Sequence, residues 1–188
     1  MIKRLAFYDM DGTLMDTPMP EDGKKTWKEV TGEDYPYAGW WGRPESLSTE
    51  VFDIKPFQSV LSQLQDDTAR PDTQTVLLTN RIERLRPYVE NLLKVNGVSL
   101  DILDLKKGGH EKDERILKHL DQNPNVEEIS VFDDRKKELD ILTPLKDKIG
   151  DNVLVNIYKA DEGNISLVES YSRIKSIVSE EISKLTYL

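Results

Sequence analysis

With 188 residues, the chain can enclose one good-sized hydrophobic core with a small insertion, and it is too short for two full-sized domains. Its 37% hydrophobic and 32% charged residues are those of a globular chain, and the absence of cysteine excludes disulfides, thiolate nucleophiles and a thiolate zinc site. A formal net charge of -9 disfavours an extended nucleic-acid-binding face but allows one phosphorylated end to sit in a local basic pocket.

The chain opens on a short apolar run, Leu5-Ala6-Phe7-Tyr8, that ends at Asp9. Asp9 and Asp11 arrive before a secretory apolar region can develop, and no apolar run approaches the roughly 18 residues that span a bilayer. A cytoplasmic protein with no membrane partner is expected. Residues 15–55 carry Pro18, Pro20, Pro36 and Pro44 and the group Tyr35-Pro36-Tyr37-Ala38-Gly39-Trp40-Trp41-Gly42, which argues against a long helix. This stretch reads as a small cap or flap insertion, with a short helix over 21–30 that turns Trp27 and Val30 inward.

Beyond the insertion, apolar residues at helical spacing predict helices over 56–66, 81–95 and 111–120, with Pro87 starting a turn or a kink in the second. Strands are predicted at Thr75-Val76-Leu77-Leu78, Ile102-Leu103-Asp104-Leu105, Ile129-Ser130-Val131-Phe132 and Val153-Leu154-Val155-Asn156-Ile157-Tyr158. The charged stretches at 106–118 and 135–148 read as solvated helix faces, residues 161–170 as a polar connection, and 171–186 as a final amphipathic helix. Strands alternating with helices predict an α/β fold: a mainly parallel sheet with helices on both faces, forming a single domain over 1–188. Ligands of such sheets collect at the carboxyl ends of the strands, where Asp9, Thr79 and Asp134 would meet.

Asp9-Met10-Asp11-Gly12-Thr13-Leu14 places two acids one residue apart at a strand end, with Gly12 permitting a tight turn. Carboxylates held this close repel one another, and a hard cation such as Mg²⁺ would relieve that repulsion. His110 and His119 lack a compact ligand spacing and read as solvated or packing residues.

The hexapeptide resembles the first motif of the haloacid dehalogenase-like (HAD) superfamily. Leu77-Leu78-Thr79-Asn80-Arg81 resembles its second motif, Lys106, Lys107 and Lys112 are candidates for its third-motif lysine, and Val131-Phe132-Asp133-Asp134 resembles its acidic fourth motif. The resemblance implies a Rossmannoid three-layer fold and a phosphatase. Asp9 would be the nucleophile that forms an aspartyl-phosphate, and Asp11 the acid that protonates the leaving oxygen and later activates water. Mg²⁺ would be held by Asp9, the Asp11 carbonyl and Asp134, with Asp133 and Arg135 supporting from behind. Thr79, Asn80 and Arg81 would hold the phosphoryl group, together with Lys112 or, as runner-up, Lys107.

A smaller resemblance narrows the substrate. Gly39-Trp40-Trp41-Gly42 after Thr17-Pro18, the Leu105-Lys106-Lys107 run and Phe132-Asp133-Asp134-Arg135 look like the phosphatase domains of polynucleotide kinase-phosphatases and related nucleic-acid end-repair proteins. A phosphorylated nucleic-acid end or nucleotide is then the expected substrate, with Trp40, Trp41 and Arg43 as candidates for recognising it. A phosphoprotein or small metabolite as substrate, or a non-enzymatic binding role, stand as alternatives. No phosphate-binding P-loop occurs, so the chain carries no kinase half.

Overall fold

The computed structural model describes residues 1–149 and 152–171. Six strands form one sheet in the order β3-β2-β1-β4-β5-β6, made of β1 (Arg4–Tyr8), β2 (Thr73–Ile82), β3 (Ile102–Lys106), β4 (Glu128–Asp133), β5 (Leu154–Asp161) and β6 (Asn164–Tyr171). The first five run parallel, and β6 pairs antiparallel with β5. Helices α1 (Pro20–Thr31), α2 (Gln58–Ala69), α3 (Arg86–Val95), α4 (Lys112–Gln122), α5 (Lys136–Leu142) and α6 (Leu145–Lys148) complete the fold, none of them long and apolar enough to cross a membrane.

Every residue of β1 is buried, as a central strand covered on both faces requires. Alternation along the strand splits its side chains between two cores. Ala6 and Tyr8, with Leu77, pack against Val60 and Leu64 of α2 and Val89 and Leu92 of α3. Leu5 and Phe7, with Val76 and Leu78, pack against Ile116 of α4 and Leu139 and Leu142 of α5. These layers give a three-layer α/β fold. The chain moves outward from β1 through β2 to β3, then returns to pair β4 on the other side of β1. That reversal makes the carboxyl end of β1 the topological switch point, the place where such sheets open a crevice.

The insertion leaves and rejoins the body through a narrow base. Met15 bridges Pro56, Asp16 N–H donates to Lys55 O at 2.8 Å, and Phe57 N–H donates to Leu14 O at 3.0 Å. Its buried Trp40, Leu47, Phe52 and Ile54 join the core that holds α2 and α3, so it is packed onto the body. Trp27 is partly buried against Tyr35, but Val30, expected to face inward, is exposed because α1 turns its buried side at Gly23.

Two further expectations change. The helix predicted from residue 81 begins later: β2 runs on to Ile82, a 3-10 turn covers Glu83–Leu85, and Pro87 sits in the first turn of α3, where its missing N–H costs nothing. The predicted polar connection over 161–170 is instead a hairpin. Glu162 and Gly163, with φ of 46° and 83°, make the two-residue turn, and β6 returns along β5. Beyond Tyr171, the predicted final helix lies outside the described residues.

Candidate active site

Asp9 leaves β1 with its N–H donated to Phe132 O of β4 at 2.9 Å, which fixes it between two strand ends. The chain then turns sharply: Met15 N–H donates to Met10 O at 2.8 Å and Gly12 N–H to Met15 O at 3.0 Å. Gly12 is required here for two reasons. Its φ of +76° disfavours a side chain, and a Cβ would lie 2.7 Å from Asp134 Oδ2. The turn is thereby pressed against the end of β4.

Lys112, in the first turn of α4, has a side chain only 1% exposed, with Nζ 2.8 Å from Asp9 Oδ1 and 2.5 Å from Asp133 Oδ2. Asp133 is fully buried, and its second oxygen accepts the Arg135 N–H at 3.0 Å. Asp134 accepts the Thr13 hydroxyl at 3.3 Å and a backbone N–H. Carboxylate oxygens of Asp9, Asp133 and Asp134 lie within 4.8 Å of one another. Three carboxylates around one buried ammonium, with the Arg135 guanidinium acting on them from the rim, leave surplus negative charge. Burial, with Asp133 and Asp11 nearby, pushes the Asp9 carboxyl up to about 7 even though Lys112 opposes the rise. Asp134 is raised by burial and by Asp133. Burial alone would lower Lys112, but the carboxylates of Asp9 and Asp133 outweigh it and hold the ammonium above its ordinary value.

This donor set fits a hard divalent cation. Lys112 and the Arg135 N–H occupy both oxygens of Asp133, whereas Asp9 keeps an oxygen free of Lys112 and Asp134 feels only the more distant charge of the Arg135 guanidinium. The cluster could hold a metal through the open oxygens of Asp9 and Asp134, with Asp133 holding Lys112 behind them.

Asp11 turns away from that cluster. Arg81 Nη2 donates to its Oδ1 at 2.8 Å and Arg81 Nε to its Oδ2 at 3.0 Å, while the Thr17 hydroxyl donates to Oδ1 at 2.8 Å. The remaining Arg81 nitrogen, Nη1, donates to Trp41 O at 2.9 Å and to Ser46 Oγ at 2.5 Å. Arg81 was expected to hold phosphate. It lines the cleft, and its guanidinium also holds Asp11 and the insertion.

The cleft over these groups has a volume of about 270 Å³ and is walled by Asp9, Asp11, Thr79, Asn80, Asp134 and Arg135, with Met19 and Trp41 at its apolar side. Thr79 is buried and accepts the Arg81 N–H at 3.1 Å, while the Asn80 side chain is turned to Glu138 at 3.2 Å. Arg135 is half exposed at the rim and donates to Glu138 at 3.1 Å. Lys107 lies outside the cleft, exposed and 3.7 Å from Glu83. Trp40 is 4% exposed, donates Nε1–H to Pro18 O at 2.9 Å and belongs to the insertion core, so it is not placed to meet a ligand. Arg43 sits beyond the cleft over the ring of Tyr37. His110 is solvated on Glu114, and His119 packs on Phe7 and Asp104. A larger hollow of about 560 Å³ lies at the outer edge of β3, but none of the acidic cluster lines it.

Ser46 and Met19 escaped sequence reasoning, as did the bond of Thr17 to Asp11. Each lies in the insertion and meets the site only through folding, with no local spacing to mark it.

No protein-family model matches the chain. It is 26% identical over 165 residues to the uncharacterized protein YMR265C of Saccharomyces cerevisiae, an alignment covering 74% of this chain and 36% of that protein. The chain therefore spans about a third of the length of this curated relative. Among solved structures, the HAD domain of effector protein Lem4 from Legionella pneumophila superposes with a TM-score of 0.55 at 14% identity, covering 95% of this chain and 93% of that one. The Pnkp1/Rnl/Hen1 complex contains a chain that superposes with a TM-score of 0.51 at 17% identity, covering 87% of this chain and 47% of that one. At such identities the likeness is one of fold: the chain has a HAD-like α/β architecture. Its clustered Asp9, Asp133 and Asp134 at the switch point are consistent with the catalytic aspartate of a hydrolase.

Proposed function

We propose that the protein is a Mg²⁺-dependent phosphomonoester hydrolase that works through an aspartyl-phosphate on Asp9. The observation that carries this reading is the Lys112 ammonium 2.8 Å from Asp9, within an acidic cluster at the switch point of the sheet. One buried lysine and the rim arginine Arg135 do not neutralise three carboxylates, and a bound Mg²⁺ would supply the missing positive charge and draw in a phosphoryl oxygen.

In this mechanism the Asp9 oxygen attacks phosphorus and the ester oxygen departs with a proton from Asp11. Water then attacks the acyl phosphate while Asp11 takes its proton, so one difficult displacement becomes two. Lys112 offsets charge on Asp9 and on the incoming phosphoryl oxygens, and Thr79 lies on the cleft wall where such oxygens would rest. Asp11 accepts hydrogen bonds on both oxygens, which suits the base half of the cycle. Taking up a proton for the acid half means giving up one guanidinium contact, so substrate binding and Arg81 act on the same carboxylate.

Nucleic-acid ends and nucleotides are the favoured substrates, because the cleft has an indole, Trp41, on its apolar side and an arginine, Arg135, at its rim. The test is Mg²⁺-dependent phosphate release across 3′- and 5′-phosphorylated oligonucleotides, mononucleotides, sugar phosphates and a phosphopeptide, with folded Asp9→Asn as control. Release from an oligonucleotide end, lost in the control, is expected. Preference for another class would redirect the substrate and keep the chemistry. Binding of Mg²⁺ and a phosphate analogue with no release from any substrate would instead indicate a binding protein.

A further inference from the structure

Among the described residues, three aromatic side chains are well exposed: Tyr37 at 40%, Trp41 at 38% and Tyr88 at 47%. All three fall on one face. Trp41 walls the catalytic cleft, and Tyr37 and Tyr88 line an adjoining hollow of about 360 Å³ together with Arg43, Glu45 and Arg84. Gly42 joins the two, since Arg84 Nη2 donates to Gly42 O at 2.8 Å. Arg43 carries its guanidinium 5.0 Å over the Tyr37 ring, and Arg81 lies 5.0 Å from the Trp41 ring at the inner end.

The arginines of this face are also distinctive. Arg4, Arg70, Arg81, Arg86, Arg115 and Arg135 each hold a carboxylate within ion-pairing distance. Among the described residues, Arg43 and Arg84 hold none; their side-chain bonds go to the carbonyls of Ala38 and Gly42. In a chain of net charge -9, two guanidinium groups without acidic partners beside three exposed rings are not explained by packing. The buried stripe of α3 is Val89, Leu92 and Leu93, and Tyr88 takes no part in it.

We propose that this face is a track for a single-stranded nucleic acid whose phosphorylated end enters the Asp9 cleft. For what lies at its inner end, the track rests on the phosphatase reading above. Exposed rings stack on unpaired bases without regard to sequence, and guanidinium groups hold the intervening phosphodiesters. Tyr88 does not line the cleft that a mononucleotide or sugar phosphate would fill. The arrangement therefore distinguishes a strand of several nucleotides from its monomer. Only two free arginines serve the backbone, so the contact is short and its salt dependence shallow. A slope of about -1.4 in log affinity against log salt follows from about -0.7 per phosphate on single strands.

The test measures binding by fluorescence anisotropy of a labelled single-stranded octanucleotide with hydroxyl ends, which offers nothing to hydrolyse. Wild type is compared with Tyr88→Ala and with the double variant Tyr37→Ala/Tyr88→Ala, each checked for an unchanged thermal midpoint. Stacking of this kind is worth roughly 5- to 150-fold in affinity per base, so the double variant should bind at least tenfold more weakly and Tyr88→Ala alone about fivefold. Phosphate release from p-nitrophenyl phosphate should be unchanged in both. No binding of the strand by wild type, equal binding by the double variant, or displacement of the strand by a phosphopeptide would overturn the track. If small-ester hydrolysis persists without strand binding, the track alone fails. Strand binding that depends on Tyr37 and Tyr88, with no ester hydrolysed, would support the track and sink the phosphatase reading instead.

Discussion

Arg81 and Asp11 are 70 residues apart in sequence and meet in a forked ion pair, with the shortest contact at 2.8 Å. The same guanidinium reaches Trp41 O and Ser46 Oγ, so one side chain sets the acid and anchors the insertion over it. A fork of this geometry cannot be replaced by a point charge.

Arg81→Lys should therefore retain the charge and lose the placement. Phosphate release is expected to fall at least a hundredfold, with stability reduced by about 2–3 kcal/mol because Asp11 remains partly solvated. Urea unfolding alongside steady-state kinetics would check both, and near-wild-type kcat in the lysine variant would remove Arg81 from the mechanism.

Lys112→Met leaves Asp9 and Asp133 buried beside each other without their shared cation. Stability at pH 8 should drop by about 3–5 kcal/mol, the usual cost of stranding a buried charge. Adding Asp9→Asn to the same chain should recover part of that loss. A double variant no more stable than Lys112→Met would show that the two side chains do not share their energy.

The raised Asp9 value has a definite sign in stability. The folded chain holds this proton up to about 7, whereas the unfolded chain releases it near 3.8, so the native state binds more protons between those values. The contribution of Asp9 is therefore most favourable below pH 4 and declines as pH rises toward 7. Metal-free Asp9→Asn should exceed wild type in thermal midpoint at pH 8 and lose that advantage toward pH 4. Because protons compete with the cation for Asp9, the rise in midpoint caused by Mg²⁺ in wild type should grow from pH 5 to pH 8. Scanning calorimetry at several pH values, with and without Mg²⁺, would reveal either trend, and a pH-independent Mg²⁺ effect would take Asp9 out of the metal site.

Gly12→Ala places a methyl 2.7 Å from Asp134 Oδ2 at a φ of +76°. About 1–2 kcal/mol of backbone strain is expected, and Asp134 must move away. The Mg²⁺ requirement of the variant should rise at least tenfold while its circular dichroism stays native. Unaltered Mg²⁺ dependence would mean that Asp134 is not a ligand.

The sequence made the sheet and the acids legible for a local reason. Leu5 to Tyr8 is a continuous apolar run, and Ile129 to Phe132 one broken only by the buried Ser130, because both faces of their strands are covered, and each run ends in the carboxylates it delivers. β6 was missed because its alternation is broken: Ile165 and Leu167 keep period two, but Val168 follows at once, and the pairing with β5 slips in register between Ile157 and Tyr158. Leu167 and Val168 are both exposed, so no buried face marked the strand. Arg81, two residues after Thr79, reads from sequence as a phosphate ligand, and nothing local marks its second task of holding Asp11. Its partners Asp11, Trp41 and Ser46 come from other parts of the chain, and only the closed insertion brings them together.

The central claim is a phosphoryl group carried on Asp9. Acid quenching during turnover of the best phosphomonoester, followed by borohydride reduction and peptide mass spectrometry, converts an acyl phosphate at that position to homoserine. The account predicts homoserine at residue 9 in wild type, formed only with Mg²⁺ and substrate and absent in Asp9→Asn. Phosphate release that proceeds with no modification at residue 9, or equally fast in Asp9→Asn, would contradict it.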